Sequence, residues 1–243
     1  VVISAEEDGT QTLVWYPVGR SGNYSIPNGI TKIDDFAFTT RFENSATSTA
    51  PYTYYGNKNI EVITIPAYVT YIGENAFRSC TNIKQINFLG KASDNALTIK
   101  DNAFYGITNS EFVEVTLPEN LTYLGVSAFG YCTYLVTVNL NSVNCADFQT
   151  GAFGYNTAGI VSNFTYYVTT LNIGKNTGAI EISGVFGIKL AEVEVDPDNP
   201  NYAVLDNVVY DKAIASVLFY PAEKQGAYTT PETVTNIGAN VFR

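Results

Sequence analysis

The 243-residue sequence has no histidine and no methionine, only three cysteines and one tryptophan, and 13 lysines and arginines against 23 aspartates and glutamates. Each shortage removes a class of chemistry. Without histidine a Ser–His–Asp triad is impossible, and a zinc site or Cys–His nucleophile lacks its usual partner. Three cysteines cannot build a disulfide framework. A net charge of −10 offers no basic patch to displace counterions from nucleic acid, and it disfavours an anionic membrane surface. No apolar run approaches the length of a spanning helix and no charged-then-apolar leader opens the chain, so no direct membrane insertion is expected. The missing methionine, with a last stretch that reads "NIGANVFR", leads us to expect a processed or trimmed piece of a longer precursor. No G-x-G-x-x-G or P-loop string occurs. Carboxylate pairs such as Glu192 and Glu194 sit on one strand, two residues apart, which cannot place them on either side of a sugar. We therefore assign no catalytic, cofactor-binding or metal residues and expect no enzyme.

What is present is repetition. "FYPAEKQGAYTTPETVTNIGANVF" at 219–242 falls without a gap on "WYPVGRSGNYSIPNGITKIDDFAF" at 15–38, with 8 of 24 positions identical. Four 12-residue segments align in the same way: "PNGITKIDDFAF" at 27, "PAYVTYIGENAF" at 66, "PENLTYLGVSAF" at 118 and "PETVTNIGANVF" at 231. Degenerate copies end at Phe104, Phe153 and Phe186, making seven Phe anchors in all with Phe38, Phe77, Phe129 and Phe242. Cys80 and Cys132 sit in matching contexts, "AFRSCTNI" and "AFGYCTYL", which predicts reduced, buried, equivalently placed thiols acting as small hydrophobes.

A second motif interleaves with the first: apolar residues at i, i+3 and i+5. It runs Ile60–Ile63–Ile65, Ile83–Ile86–Phe88, Phe112–Val115–Leu117, Leu135–Val138–Leu140, Val168–Leu171–Ile173 and Leu190–Val193–Val195, with starts separated by 23, 29, 23, 33 and 22 residues. The last two members of each set are two apart and share one face of a short strand. Residues between them point outward: Val62 and Thr64, Gln85 and Asn87, Glu114 and Thr116, Thr137 and Asn139, Thr170 and Asn172, Glu192 and Glu194. The stretch after each strand, such as "IGENAFRSC", suits one or two helical turns folded back over it. One such unit cannot bury its apolar face alone, whereas stacked copies cover one another, which is the logic of a solenoid.

"YIGENAFRSCTNIKQINF" and "YLGVSAFGYCTYLVTVNL" resemble the BspA-like leucine-rich-repeat family of bacterial surface proteins, over most of residues 21–243. "NPNYAVLDNVVYDKAIASVLFYP" and "EDGTQTLVWYP" resemble that family's hairpin followed by Tyr-Pro, so the sentence shared by the two ends reads as one module used twice. The resemblance implies a leucine-rich-repeat solenoid of short parallel strands, with short helices or turns on the convex side and β-hairpin elements near both ends. It divides a single domain, 1–243, into an N-terminal hairpin element (1–20), repeats (21–198), a hairpin insertion (199–222) and the truncated start of a further repeat (223–243).

Two insertions, at 39–59 and 154–167, depart from the pattern and would break the stacking or bulge out as loops. "DPDNPN" at 196–201 lacks the glycine and distant glutamate of an EF-hand loop and reads as a turn, as does the acidic run Glu6–Glu7–Asp8. The resemblance implies a secreted or cell-surface module for adhesion or protein recognition, with no cofactor. Its partner would be a host or bacterial surface protein, bound through the face bearing Gln85, Asn87, Glu114, Thr116, Thr137, Asn139, Thr170 and Asn172 or through the inserted loops. Two rival readings are a glycan binder using the Tyr52–Tyr54–Tyr55 and Tyr166–Tyr167 clusters, and a spacer projecting another domain.

Overall fold

The computed structural model describes residues 1–7, 9–44, 52–155, 165–187, 189–221, 224–239 and 241–242. The chain winds as a solenoid whose turns are joined on three sides. The front side is made by the i, i+3, i+5 segments. Strands Gly22–Ser25, Ile60–Ile65 and Gln85–Phe88 pair in parallel, and so do Glu114–Leu117, Thr137–Leu140, Thr170–Ile173 and Glu192–Val195. The expected register holds. Ile63 lies level with Ile86, and Val115 with Val138, Leu171 and Val193, all of them buried, while the residues between them face water. Alternation of apolar and polar residues selects this register, since a one-residue slip would turn every aliphatic outward.

The second side is a ladder of short parallel strands, Ile30–Ile33, Tyr71–Ile72, Leu97–Ile99, Leu121–Leu124 and Asp147–Phe148, of which the first, second and fourth follow Pro27, Pro66 and Pro118. Gln11–Trp15 begins it, paired antiparallel with Val2–Ala5.

The third side differs from expectation. Helical turns do not form after the glycines; among the described residues a single helix appears, Ile182–Phe186. Elsewhere the chain makes successive turns in which residues two before the Phe anchor adopt positive φ: Phe36, Asn75, Asn102, Ser127 and Gly151. Left-handed residues interrupt an α-helix, and Asn, Ser and Gly tolerate that region best. The turns free alternate N–H groups to donate along the solenoid axis. Tyr16 N donates to Ala37 O (2.8 Å), Phe38 N to Ala76 O (2.8 Å), Phe77 N to Ala103 O (2.7 Å), Phe104 N to Ala128 O (2.8 Å) and Phe129 N to Ala152 O (2.9 Å). The alanines are fully buried, since only a small side chain lets the turns approach this closely.

Inside these ladders the anchor rings form a column. Tyr16 stacks on Phe38 at 4.7 Å between centroids, and Phe38–Phe77, Phe77–Phe104, Phe104–Phe129, Phe129–Phe153 and Phe153–Phe186 follow at 4.3–5.2 Å. The seventh anchor, Phe242, does not join this column; it is 56% exposed and rests beside Tyr220. The duplicated module explains that contact. Tyr16, Tyr24 and Phe38 recur as Tyr220, Tyr228 and Phe242, with Tyr16–Tyr24 at 4.5 Å and Tyr220–Tyr228 at 5.1 Å. Thr12↔Lys32 and Leu13↔Ile33 recur as Ser216↔Asn236 and Val217↔Ile237. A second small core of Val208, Tyr210, Val217 and Val241 gathers around this copy.

Both insertions contribute antiparallel strand pairs rather than plain loops. Thr39–Glu43 pairs with Tyr52–Gly56, and Gly154–Tyr155 with Thr165–Tyr166; residues 45–51 and 156–164 between them lie outside the described residues. The expected hairpin at 199–222 is a three-stranded meander of Tyr202–Leu205, Val208–Asp211 and Ser216–Phe219. Its tip, Asp206–Asn207, has positive φ at both residues, the geometry of a tight two-residue hairpin turn.

Candidate binding face

The outward residues of the four-stranded part of the front sheet form aligned rows. Glu114, Thr137, Thr170 and Glu192 make one, and Thr116, Asn139, Asn172 and Glu194 the other. They hold one another. Asn139 Nδ2 donates to Glu114 Oε1 and to Thr116 Oγ1 (3.1 Å), and Asn172 Nδ2 donates to Asn139 Oδ1 (2.8 Å). On the three-stranded part, Gln85 Nε2 donates to Asn87 Oδ1 at 2.8 Å. Glu114, Thr116, Asn139 and Asn172, and separately Gln85 and Asn87, are therefore fixed in orientation by their neighbours.

The face is not continuous. No ladder joins Gln85–Phe88 to Glu114–Leu117, so the single face expected from Gln85 through to Asn172 is divided. The Glu114–Thr116 pair stands on the far side of the break. Two sequence features coincide with it. This repeat is 29 residues long where its neighbours are 23, and Pro118 occupies the strand-exit position. At the same position Leu89 N donates to Ile65 O (3.0 Å), Gly174 N to Leu140 O (2.8 Å) and Asp196 N to Ile173 O (2.9 Å), whereas proline has no N–H to give. The break opens a groove of about 840 Å³, lined by Val62, Thr64, Gln85, Asn87, Leu89, Val113, Glu114 and Thr116 among others. Lys84 crosses beside it, held by Glu61 at 3.5 Å and Glu111 at 3.0 Å. Their carboxylates push its pKa up, Glu111 contributing most. Leu89 and Val113 are 53% and 45% exposed at its rim. Leu89 and Glu111 fall outside the i, i+3, i+5 sets, and Glu61, Lys84 and Val113 sit directly after the first member of a set rather than among the outward pairs, so only the irregular spacing pointed here.

At the far edge of the front sheet, Asn207 clamps the strand Glu192–Val195. Its Oδ1 accepts from Val193 N (2.9 Å) and its Nδ2 donates to Ala191 O (2.6 Å), so a side chain imitates the next strand. Two buried asparagines serve the turns in the same spirit. Asn57 donates to Pro17 O and Arg20 O and accepts from Asn59 N and Ile60 N. Asn199 donates to Gly174 O and Thr177 O and accepts from Asn201 N and Tyr202 N.

The tyrosine clusters are mostly engaged. Arg78 lies between Tyr54 (4.0 Å) and Tyr105 (4.3 Å), and Arg41 lies over Phe36 and Tyr52. Tyr105 stacks on Tyr131, and Tyr167 on Tyr155. Burial lowers the Arg78 pKa against the opposing pull of the two tyrosines. Tyr55 alone of the named group faces water, 51% exposed, 5.5 Å from the equally open Phe42.

The three cysteines are free and buried. Cys80 and Cys132 are equivalent, each aiming its Sγ at the carbonyl of the Phe one turn earlier, Phe38 (3.6 Å) and Phe104 (3.3 Å). Burial pushes all three thiols up to about 12. The 196–201 segment is a turn: Asp196 Oδ1 accepts from Asp198 N, and Asp198 pairs with Lys175 at 2.9 Å. Residues Glu6 to Thr10 close the first hairpin, Glu6 N donating to Thr10 O at 2.9 Å; Asp8 lies outside the described residues.

The family model for the BspA type leucine rich repeat region matches residues 20–106 and 47–178, in 6 copies. Among solved structures, the pneumococcal vaccine antigen PcpA superposes with a TM-score of 0.60 at 20% identity, covering 99% of this chain and 59% of that one. The Treponema protein TpLRR (T. pallidum) gives 0.54 at 18% identity, covering 79% and 78%. A leucine rich cell surface protein of Faecalibacterium prausnitzii gives 0.47 at 19% identity, covering 99% and 71%. No curated protein sequence matches the chain. At these identities the first two likenesses concern the fold, and this chain spans about three fifths of PcpA.

Proposed function

The chain belongs to the BspA-type leucine-rich-repeat family, and from that membership we propose that this non-catalytic repeat module recognises a protein partner at a bacterial surface through its front face. The observation that carries the reading is the mutually hydrogen-bonded row Glu114–Asn139–Asn172 with Thr116. Side chains already fixed lose little freedom on binding, which is how a flat polar surface gains affinity. Solenoids use such extended surfaces as recognition faces. The likeness to a vaccine antigen supports an extracellular setting, as does the scarcity of lysine and arginine. With a net charge of −10, association with basic partners should quicken at low salt and fade as salt rises.

The test is a screen of the 243-residue chain against immobilised host matrix proteins, bacterial surface proteins and glycans. It is repeated with Thr137, Asn139, Thr170 and Asn172 all replaced by lysine. A partner held by the wild type and lost by this variant, with the circular dichroism unchanged, supports the reading. A partner bound equally by both moves recognition away from the face, and an empty screen favours the spacer.

Glycan binding is the second reading, favoured by one observation: Phe42 and Tyr55 are adjacent exposed rings on the outer side of the Thr39–Gly56 hairpin. Sugars stack on open ring faces, so a glycan hit abolished by Tyr55→Ala would select it.

A further inference from the structure

We infer that the break between Gln85–Phe88 and Glu114–Leu117 is the docking groove for an extended segment of a partner polypeptide, one that carries basic side chains between aliphatic ones. The inference rests on the proposed function, because it presumes that the front face binds a protein, and it names where and what.

Shape comes first. Elsewhere in the two parts of the front sheet neighbouring strands are laddered and the hollows over them are smaller, about 500 and 700 Å³, whereas here two strand edges face each other without pairing across a groove of about 840 Å³. That volume falls within the roughly 300–1,000 Å³ typical of ligand pockets. The rim is aliphatic in a way that the other turns are not. Leu89 stands at the strand-exit position, which is Pro66, Pro118, Asn141, Gly174 and Asp196 in the other repeats. It faces water, and Val113, at the entry of the next front strand, is exposed on the same lining. A large aliphatic placed in solvent at this one exit is unneeded by the core and suits an apolar partner side chain.

Charge fixes the rest. On the lining Glu111 and Glu114 oppose only Lys84, two carboxylates against one ammonium, which leaves the groove at −1, and Glu61 beside it draws on the same Lys84. The Lys84 charge is shared between two of them, and exposed pairs of this kind bind weakly and exchange readily. An arriving guanidinium or ammonium therefore meets uncompensated carboxylate at the groove mouth. The same carboxylates repel phosphate, which argues against nucleic acid. The only ring on the lining, Phe88, is half-buried with its edge set against Phe104, so no open aromatic face is offered to a sugar. Among the described residues no cluster able to hold a metal ion is found, and binding should be indifferent to chelator.

The test uses the whole chain and fluorescein-labelled hexapeptides in which arginine alternates with leucine or valine. Two matched sets accompany them, one with citrulline for arginine and one with glutamine for the aliphatics. Polarisation is read at low and high ionic strength. Wild type should bind the arginine set in a salt-sensitive way, with both matched sets weaker by about tenfold, a difference of about 1.4 kcal/mol. Leu89→Ser with Val113→Thr, and separately Glu111→Gln with Glu114→Gln, should lose about tenfold in affinity; Asn28→Lys with Asn95→Lys, exposed residues outside the front strands, retains binding at high salt, and Thr170→Lys with Asn172→Lys is measured alongside. The exposed aliphatics and isosteric amides keep the fold intact, and circular dichroism checks this. Binding unaffected by either groove variant overturns the inference, and so does saturable binding of none of the sets. Loss confined to the Thr170 and Asn172 variant overturns the groove but leaves protein recognition by the front face standing. A monomer–dimer equilibrium abolished by Leu89→Ser would instead assign the groove to a second copy of the chain, and a glycan hit lost in the groove variants would assign it to sugar; either result sinks the proposal.

Discussion

Phe77→Ala probes the column of rings at its centre. The Phe77 side chain is fully buried and stacked on both faces, 4.3 Å from Phe38 and 5.0 Å from Phe104. Deleting a buried Phe ring costs about 3–5 kcal/mol, with the upper values where the surroundings cannot collapse into the space. Here they cannot. The turn is pinned on both sides by Phe38 N to Ala76 O and Phe77 N to Ala103 O, and its strands keep the roughly 4.8 Å spacing of a sheet. The two lost ring contacts, each worth about 0.5–1.5 kcal/mol beyond area, push the same way, so the expected loss is about 5 kcal/mol. Phe242→Ala, at an anchor that is more than half exposed, should cost about 1 kcal/mol or less. Urea unfolding followed by far-UV circular dichroism measures both, with amide exchange added because repeat arrays need not unfold in one step. Phe77→Ala and Phe104→Ala should couple in a double-mutant cycle while Phe38→Ala and Phe186→Ala add, as distance dictates. A loss for Phe77→Ala below about 2 kcal/mol, well under the large-to-small range, or one equal to that of Phe242→Ala, would refute the column as a stabilising element.

Thiol reagents should find nothing in the native protein and three thiols in denaturant; fewer than three in denaturant would mean a bridge. The buried thiols, and the Tyr166 and Tyr167 hydroxyls, have folded pKa values raised to about 12, so their contribution to stability is whole below the unfolded values and is lost as pH climbs towards 12. A urea midpoint that stays constant from pH 9 to pH 12 would contradict this. Arg78→Gln removes both cation–π contacts, together worth about 2 kcal/mol, and should speed amide exchange at Tyr54 and Tyr55; unchanged exchange there would make the sandwich ornamental. Asn207→Ala forfeits two hydrogen bonds and strains a positive-φ position, a cost of about 2–3 kcal/mol, whereas Asn207→Gly should recover only the strain. No loss at all for Asn207→Gly would show that the clamp contributes nothing.

The front sheet was legible because strand pattern is a property of neighbouring residues: Ile63 and Ile65, or Leu171 and Ile173, declare the buried side two residues apart. The turns were misjudged because Asn75, Asn102 and Ser127 fit a helical face by spacing, and their left-handed φ becomes favourable only when another turn supplies the Asp101, Val126 or Gly151 carbonyl to the freed N–H groups. Phe242 carries the full anchor motif, yet motif does not determine which ring lies next to it. The hairpin in the first insertion left a faint trace, since Tyr52, Tyr54 and Arg41 share one side and Phe42 and Tyr55 the other. Clamps such as Asn57, Asn199 and Asn207 join segments remote in sequence and left no periodic mark. The break in the front sheet was visible as a 29-residue interval and one proline, but not as a groove, because its walls come from different turns.

The direction of the ladder bonds has a mechanical consequence. On all three sides they run along the solenoid axis, from one turn to the next, so tension applied between the two ends loads them lengthwise and few at a time. A turn at an end can peel away without shearing the turns behind it. A released 23-residue turn yields roughly 75 Å of extended chain at about 3.3 Å per residue, in exchange for about 4.8 Å of axial rise. Under load the molecule would thus lengthen in steps at modest force and rewind when slack, with the ring column setting the height of each step's barrier. A chain holding two surfaces together in flow would absorb a tug as a spring does, before its bound partner was torn away.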